Sequence, residues 1–335
     1  MRRTVTRLLG AVPVLAGVVL LAFVLTRVLP GDPVAVLGGV PGMTPEDTAR
    51  LATDLGLDRS LAAQFLDYLA ALSRGDLGLS RSTGRPVAAE IAVRLPATLE
   101  LAGLGFLLAL LLAVPLGTVA ALRPGGAVDA GVRLSAVIAG SVPTFVTGIL
   151  LIHIFYFRLG WAPEPVGRID PMLARPEAVT GFLLIDSVLA GDLAALRSAA
   201  GRIALPALAM ALFALAPILR MQRAALMAAR GSAALVAMRG LGVGRWRRGF
   251  WALRLAAGPV VSVAALALAW MLGANVLVEH VFAWPGIGSY ALAALVALDF
   301  APVQGVMLVT AAILVGVAVL ADLVQGWFDP RLADG

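Results

Sequence analysis

The stretch RMQRAALMAARGSAALVAMRGLGVGRWRRGFWALR (220–254) carries eight arginines and no acidic residue. It interrupts a chain of 335 residues that is 60% hydrophobic and 14% charged. Soluble domains run near ~25% charged residues, so a chain this apolar uses lipid as part of its solvent. At ~100° per residue, a helix over the first half brings Arg220, Arg223 and Arg230 within about a quarter-turn of one another. Met221, Ala225, Ala228 and Ala229 fall on the opposite face. GLGVG (240–244) then breaks the helix, because three glycines in five residues favour a turn. RWRRGFWALR leads into the next apolar segment, so the stretch reads as helix, sharp turn, helix. Two explanations fit: arginines that hold a loop at the cytoplasmic face against anionic headgroups, or a docking element gripped by a soluble partner. Topology needs only a few charges and no structured break, which favours docking.

On either side lie six segments apolar enough to cross a bilayer, which takes ~20 residues. They are 8–29, 97–122, 134–157, 203–219, 256–278 and 302–325, the fourth being the shortest. GFLLIDSVLA (181–190) is too brief a run and reads as an interfacial helix. The first segment exceeds the ~7–15 residues of a signal-peptide core and lacks a small-x-small cleavage site, so an uncleaved span is expected. Arg2, Arg3 and Arg7 place the N-terminus inside; the 30–95 loop, with eight acids against six arginines, falls outside; 220–254 and the tail fall inside.

Within the outer segment, Thr44 is placed to cap a helix with Pro45 at its first position and Asp47 completing the box, ending at Gly56. A second helix carries Leu61, Phe65, Leu69 and Leu72 on one face and stops at Gly75. Glu100, near the end of the second span, faces either an aqueous path or a helix terminus or headgroup. Glu279 and His280 are neighbours that do not face each other. Phe282 and Trp284, ahead of Pro285-Gly286, predict a bend at the membrane interface, with these four residues lining an outer gate.

The formal charge of +6 comes from arginine alone, since there is no lysine, and there is no cysteine. These absences exclude disulfides, thiolate metal sites, cysteine nucleophiles and a Walker A lysine. No HExxH or GxSxG is present, and GDP (31–33) is a turn, not a phosphate loop. The pI near 11.0 does not signal nucleic acid, because the basic residues flank apolar spans. His153 and His280, the only histidines, are too few for a metal site.

Several fragments, in order, resemble one family: RVLPGDP (27–33), LGLDRSLAAQFLDYLAALSRGDLGLSRSTGRPV (55–87), RLPATLELA (94–102), GSVPTF (140–145), RIALPALAMAL (202–212), VEHVFAWPGIG (278–288), DFAPVQGVML (299–308) and DPR (329–331). They are similar to the B-type inner-membrane permease of ABC importers for oligopeptides, dipeptides and nickel. The resemblance implies an all-α polytopic fold with six transmembrane helices, the type I importer permease fold. It divides the chain into an N-terminal helix (1–30), an extracytoplasmic helical domain (31–93) and a permease domain (94–328) with a cytoplasmic coupling loop at 220–255. It also implies a bacterial inner-membrane protein with both termini cytoplasmic, a second homologous permease as heterodimer partner, two ATPase subunits or domains, and an extracytoplasmic binding protein. This chain binds no cofactor, ATP and Mg residing on the ATPases.

Carried onto this sequence, the coupling residues are Arg230, Ser232, Ala237, Arg239, Gly240, Leu241 and Gly242. Gly231 and Ser232 stand where the family has an acid, and the interval from Gly240 to Pro259 is one residue longer. The alternative is a stand-alone channel or secondary transporter, which would carry more intramembrane carboxylates or histidines and broken-helix inverted repeats.

Overall fold

A computed structural model describes residues 2–28 and 59–328. The predicted Thr44–Gly56 helix, the 31–33 turn and the DPR tail lie outside the described residues. The described chain folds as helices: α1 (Arg2–Val28), α2 (Leu61–Ser73), α3 (Val87–Leu122), α4 (Ala127–Ser141), α5 (Thr144–Leu151) continuing as a π-helical turn (Ile152–Arg158), α6 (Leu183–Leu189), α7 (Leu193–Gly231), α8 (Ala233–Gly240), α9 (Arg245–Val281), α10 (Ile287–Val296) and α11 (Phe300–Phe328). The only extended pairing among the described residues is one bridge between Leu79 and Pro86.

Among the described residues four helices, α3, α7, α9 and α11, are long and apolar enough to cross a membrane, and α4 with α5 makes a fifth if that bent pair is one span. In lipid only closed hydrogen bonding is affordable, which is why the apolar segments become helices. Two expectations need correction. The 134–157 segment is not straight: α4 and α5 meet at 101°. Pro143 pushes the preceding Val142 into extended backbone, φ −98° and ψ 128°, because its ring disfavours helix at the residue before it. The fourth span is the longest, not the shortest. Asp192 caps it by accepting from the Ala195 N–H at 2.9 Å, and it runs 39 residues through Pro206 and Pro217 to Gly231. Arg220, Arg223 and Arg230 therefore ride on the last turns of a span, not on a separate loop helix.

The chain forms two compact units. One comprises the described parts of 1–8, 94–289 and 313–335, with α7 at its centre. Buried residues make up 72% of the apolar window of α7, against 33% for α3 and α9, so the latter two keep outward faces for lipid or another subunit. Helix α3 approaches α7 closely. A Cβ at Gly105 would lie 2.7 Å from Met210 Cβ and one at Gly117 2.9 Å from Gln222 Cβ. At this seam the Gln222 amide donates to Thr118 Oγ1 at 3.0 Å, so this buried polar group is paired.

The other unit comprises the described parts of 9–93 and 290–312. Ser60 caps α2, and Phe65 and Tyr68 stack against Phe23 with centroids 5.1 and 5.9 Å apart. The predicted apolar stripe is rotated: Leu61 and Leu69 are exposed, because the contact with Phe23 is made by the Phe65–Tyr68 face. Gly75, at φ +76°, ends the turn after α2 as expected. Buried Asp299 accepts from Ser80 Oγ (2.8 Å), the Ser82 N–H (2.9 Å) and Ser82 Oγ (2.9 Å), binding the 80–82 turn to the start of α11.

Candidate functional site

The basic stretch is a built hairpin. At its base, Arg223 grips Asp129 with two parallel bonds, Nε to Oδ1 at 2.6 Å and Nη2 to Oδ2 at 2.8 Å. Asp129 is 1% exposed and also accepts from the Gly125 N–H at 2.9 Å, so the turn before α4 is fixed to α7. Arg230 Nη1 donates to the Ala121 carbonyl at 2.7 Å, satisfying one of the orphan carbonyls at the end of α3.

After Gly231 the chain breaks once more than expected, at Ser232, whose hydroxyl caps α8 by accepting from the Leu235 N–H. Buried Leu235 packs with Ala121, Leu226, Ala229, Ala252 and Ala256, drawing α8 onto the ends of α3, α7 and α9. The far end closes where the glycines predicted it. The Gly242 N–H donates to the Arg239 carbonyl at 3.1 Å and the Val243 N–H to that of Met238 at 3.0 Å, with Gly242 at φ +70°. This pairing is a Schellman closure, which needs a left-handed residue at that point. Beyond it α9 starts at Arg245. A groove of about 800 Å³ opens beside the hairpin, lined by Arg230, Arg239, Arg245 and Arg248 with Trp246, Phe250 and Leu253 among its walls.

At the other end of α9, a second polar knot holds the return of the chain. Glu279 is fully buried. Its Oε1 accepts from Thr98 Oγ1 at 2.6 Å and Asn275 Nδ2 at 2.8 Å. Its Oε2 accepts from the Ser289 N–H at 2.8 Å and Ser289 Oγ at 3.2 Å. Thr98 Oγ1 in turn accepts from the Ile287 N–H at 2.9 Å. Any Cβ at Gly286 would collide with Glu279 and Thr98. The glycines of WPGIG thus exist to let backbone close over a carboxylate. Trp284 is 2% exposed and donates its indole N–H to the Ala97 carbonyl at 2.9 Å. Phe282 is equally enclosed. The bend is where the sequence put it, but these two aromatics are core, not interfacial anchors, because Glu279 pulls the turn inward.

The 159–192 connection is fastened to the same end of α3. Arg168 Nη2 donates to Glu100 Oε2 at 2.6 Å, and the Leu184 N–H at the start of α6 donates to Glu100 Oε1 at 2.7 Å. Glu100 therefore meets a helix N-terminus, one of the two expected outcomes. Nearby, burial works against the Asp186 carboxylate, but bonds from the Thr180 hydroxyl and the Thr180 and Gly181 N–H groups outweigh it and hold its pKa below the ordinary value. Its contribution is present above the unfolded value of ~3.9 and is lost as pH falls through the lower folded one. Protease clipping of this connection should therefore stay slow at neutral pH and quicken only in acid. In Asp186→Asn it should already be fast at pH 7, and equal clipping of the two proteins at pH 7 would refute this anchoring.

Residues 113–334 match the family described as the binding-protein-dependent transport system inner membrane component, and residues 1–102 match its N-terminal counterpart. The chain belongs to this family. It is 38% identical to a probable D,D-dipeptide transport system permease of Escherichia coli K12, over 97% of this chain and 96% of that one. It is 36% identical to a di/tripeptide transport system permease of Pseudomonas aeruginosa, over 98% of each. It is also 34% identical to the dipeptide transport system permease of E. coli K12, over 99% of each. The protein is thus a multi-pass inner-membrane permease subunit of an ABC importer, not an enzyme.

Of the residues predicted for this permease's coupling loop, all seven fall in or beside one hairpin. Arg230 is committed to α3, Ser232 is a cap, Ala237 accepts the Leu241 N–H at 2.9 Å, and Leu241 stands 81% exposed at the tip. Sequence reasoning passed over Asp129, missed the pairing of Glu279 and did not single out Asp299. Each was findable as an acid close to apolar sequence, since a carboxylate there must find donors.

Proposed function

We propose that this permease forms one half of a translocation pathway for peptides. Its six spans would be α1, α3, the α4–α5 pair, α7, α9 and α11, with both termini cytoplasmic and residues 31–93 forming an extracytoplasmic helical domain beside the 94–328 permease domain. Its partners are a second homologous permease, two cytoplasmic ATPase subunits that carry the ATP and Mg, and an extracytoplasmic binding protein. The peptide cargo rests on the names of the relatives at 34–38% identity.

The coupling role rests on one observation: Leu235 and Arg230 fasten the hairpin to the ends of three spans at once. A push on exposed Leu241 would be passed to α3, α7 and α9 together, favouring one of two packed states of the bundle. Phe282, Trp284 and Gly286, which are buried, and Pro285, which is exposed, form the turn that would seal the outer end in the state seen here.

The test is Gly242→Val in the reconstituted complex. A branched residue at φ +70° is strained by ~1–3 kcal/mol, and there is open space around the site, so the hairpin should distort without unfolding the membrane core. Uptake should fall about tenfold or more while ATP hydrolysis persists, since ~1.4 kcal/mol is tenfold. Unchanged uptake would refute the lever. Flux through the purified chain without an ATPase would instead support the channel reading.

A further inference from the structure

We propose that the groove between the ends of α3, α7, α8 and α9 is a binding site for an anionic phospholipid. The groove lies where three spans give way to arginines, the level of a headgroup. Leu122, Leu226 and Leu253 supply an apolar wall, while Arg230, Arg239, Arg245 and Arg248 line the rest with no acidic residue among them. Its volume of about 800 Å³ is in the range of ligand-sized sites.

One unmet donor and one uncapped helix start point to what the groove takes. The Nε of Arg248 is buried without a hydrogen-bond partner, which is costly for a charged donor. Helix α9 begins behind Gly244, which offers no side-chain cap, so its first-turn N–H groups and positive dipole end are left for an anion. A phosphate diester with an acyl chain matches both halves: oxygens for Arg245, Arg248 and the helix start, and hydrocarbon for the leucine wall. Basic pockets between spans on the cytoplasmic side suit such headgroups. An acidic protein segment would satisfy the arginines but would not need a hydrocarbon wall at this depth. This inference does not depend on the coupling role, and a failed lever would leave it standing.

The probe is dioleoyl phosphatidylglycerol against dioleoyl phosphatidylcholine, offered equally to the purified full chain in detergent and read by native mass spectrometry. The intact protein should retain phosphatidylglycerol preferentially. Arg245→Gln with Arg248→Gln should weaken that retention roughly thirtyfold, two arginines at ~1 kcal/mol each near a charged surface. Arg220→Gln with Arg254→Gln removes the same charge from exposed positions outside the groove and should leave retention unchanged. Equal retention of both lipids, or equal loss in both double variants, overturns the proposal and leaves the groove to an acidic partner segment or to unspecific attraction. A second readout keeps every arginine and changes one exposed ring: phosphatidylglycerol brominated on its acyl chains should quench tryptophan emission more in the wild type than in Trp246→Phe. No difference between them also overturns it.

Discussion

Glu279→Ala is expected to leave little of this permease in the membrane. The substitution abandons three donors, the Thr98 hydroxyl, the Asn275 amide and the Ser289 N–H, around a carboxylate that is 0% exposed, while the Ser289 hydroxyl keeps the Trp284 carbonyl. Each abandoned donor costs ~1–3 kcal/mol, and the total stability of a domain is only ~5–15 kcal/mol. Glu279→Gln keeps the shape and one acceptor oxygen but turns an NH2 toward donors on one side. The expected order of folded, membrane-inserted protein is therefore Ala far below Gln, and Gln below wild type, measured as the monodisperse fraction after detergent extraction. Wild-type levels of the Ala variant would mean that the turn after α9 is held by Phe282 and Trp284 alone. Gly286→Val should resemble the Ala variant, because its side chain must displace the same carboxylate.

The second large effect is at the hairpin base. Arg223→Ala leaves an Asp129 that is 1% exposed with only the Gly125 N–H and the more distant Arg133, 3.9 Å away, and breaking a buried pair from one side typically destabilises by ~3–5 kcal/mol. Removing both charges together, as Arg223→Met with Asp129→Leu, leaves no buried charge unpaired, only the Gly125 N–H without its acceptor, and should restore part of the lost thermal stability. A double variant no more stable than Arg223→Ala would show that the pair is not the determinant. Transport separates two roles here. Recovery of stability without recovery of uptake would assign the pair to moving α4 with α7, whereas recovery of both would make it a fastening only.

The helical class, the glycine closure at 240–242 and the return at 284–288 were legible because they depend on local chemistry: apolar run length, left-handed backbone and proline. Less legible was anything set by partners far away in the chain. The rotated face of α2 depends on Phe23, which no periodicity within 61–72 can register. The kink at Val142–Pro143 is written in the sequence, yet the apolar length of 134–157 masks it. The arginines of 220–230 read as a free cationic face because their partners, Asp129 and the Ala121 carbonyl, lie about a hundred residues away. The burial of Phe282 and Trp284 was hidden for the same reason, since composition alone favours aromatics at a headgroup boundary.

The Schellman closure at Gly242 limits how such machines can be rewired. Because α8 is sealed at both ends, its span is a fixed gauge. One inserted residue between Ser232 and Gly244 would rotate the downstream helix by about 100°, turning Leu235 or Arg248 away from their neighbours. Exchanging engines between related importers should therefore tolerate many changes of letter in this segment and almost none of length.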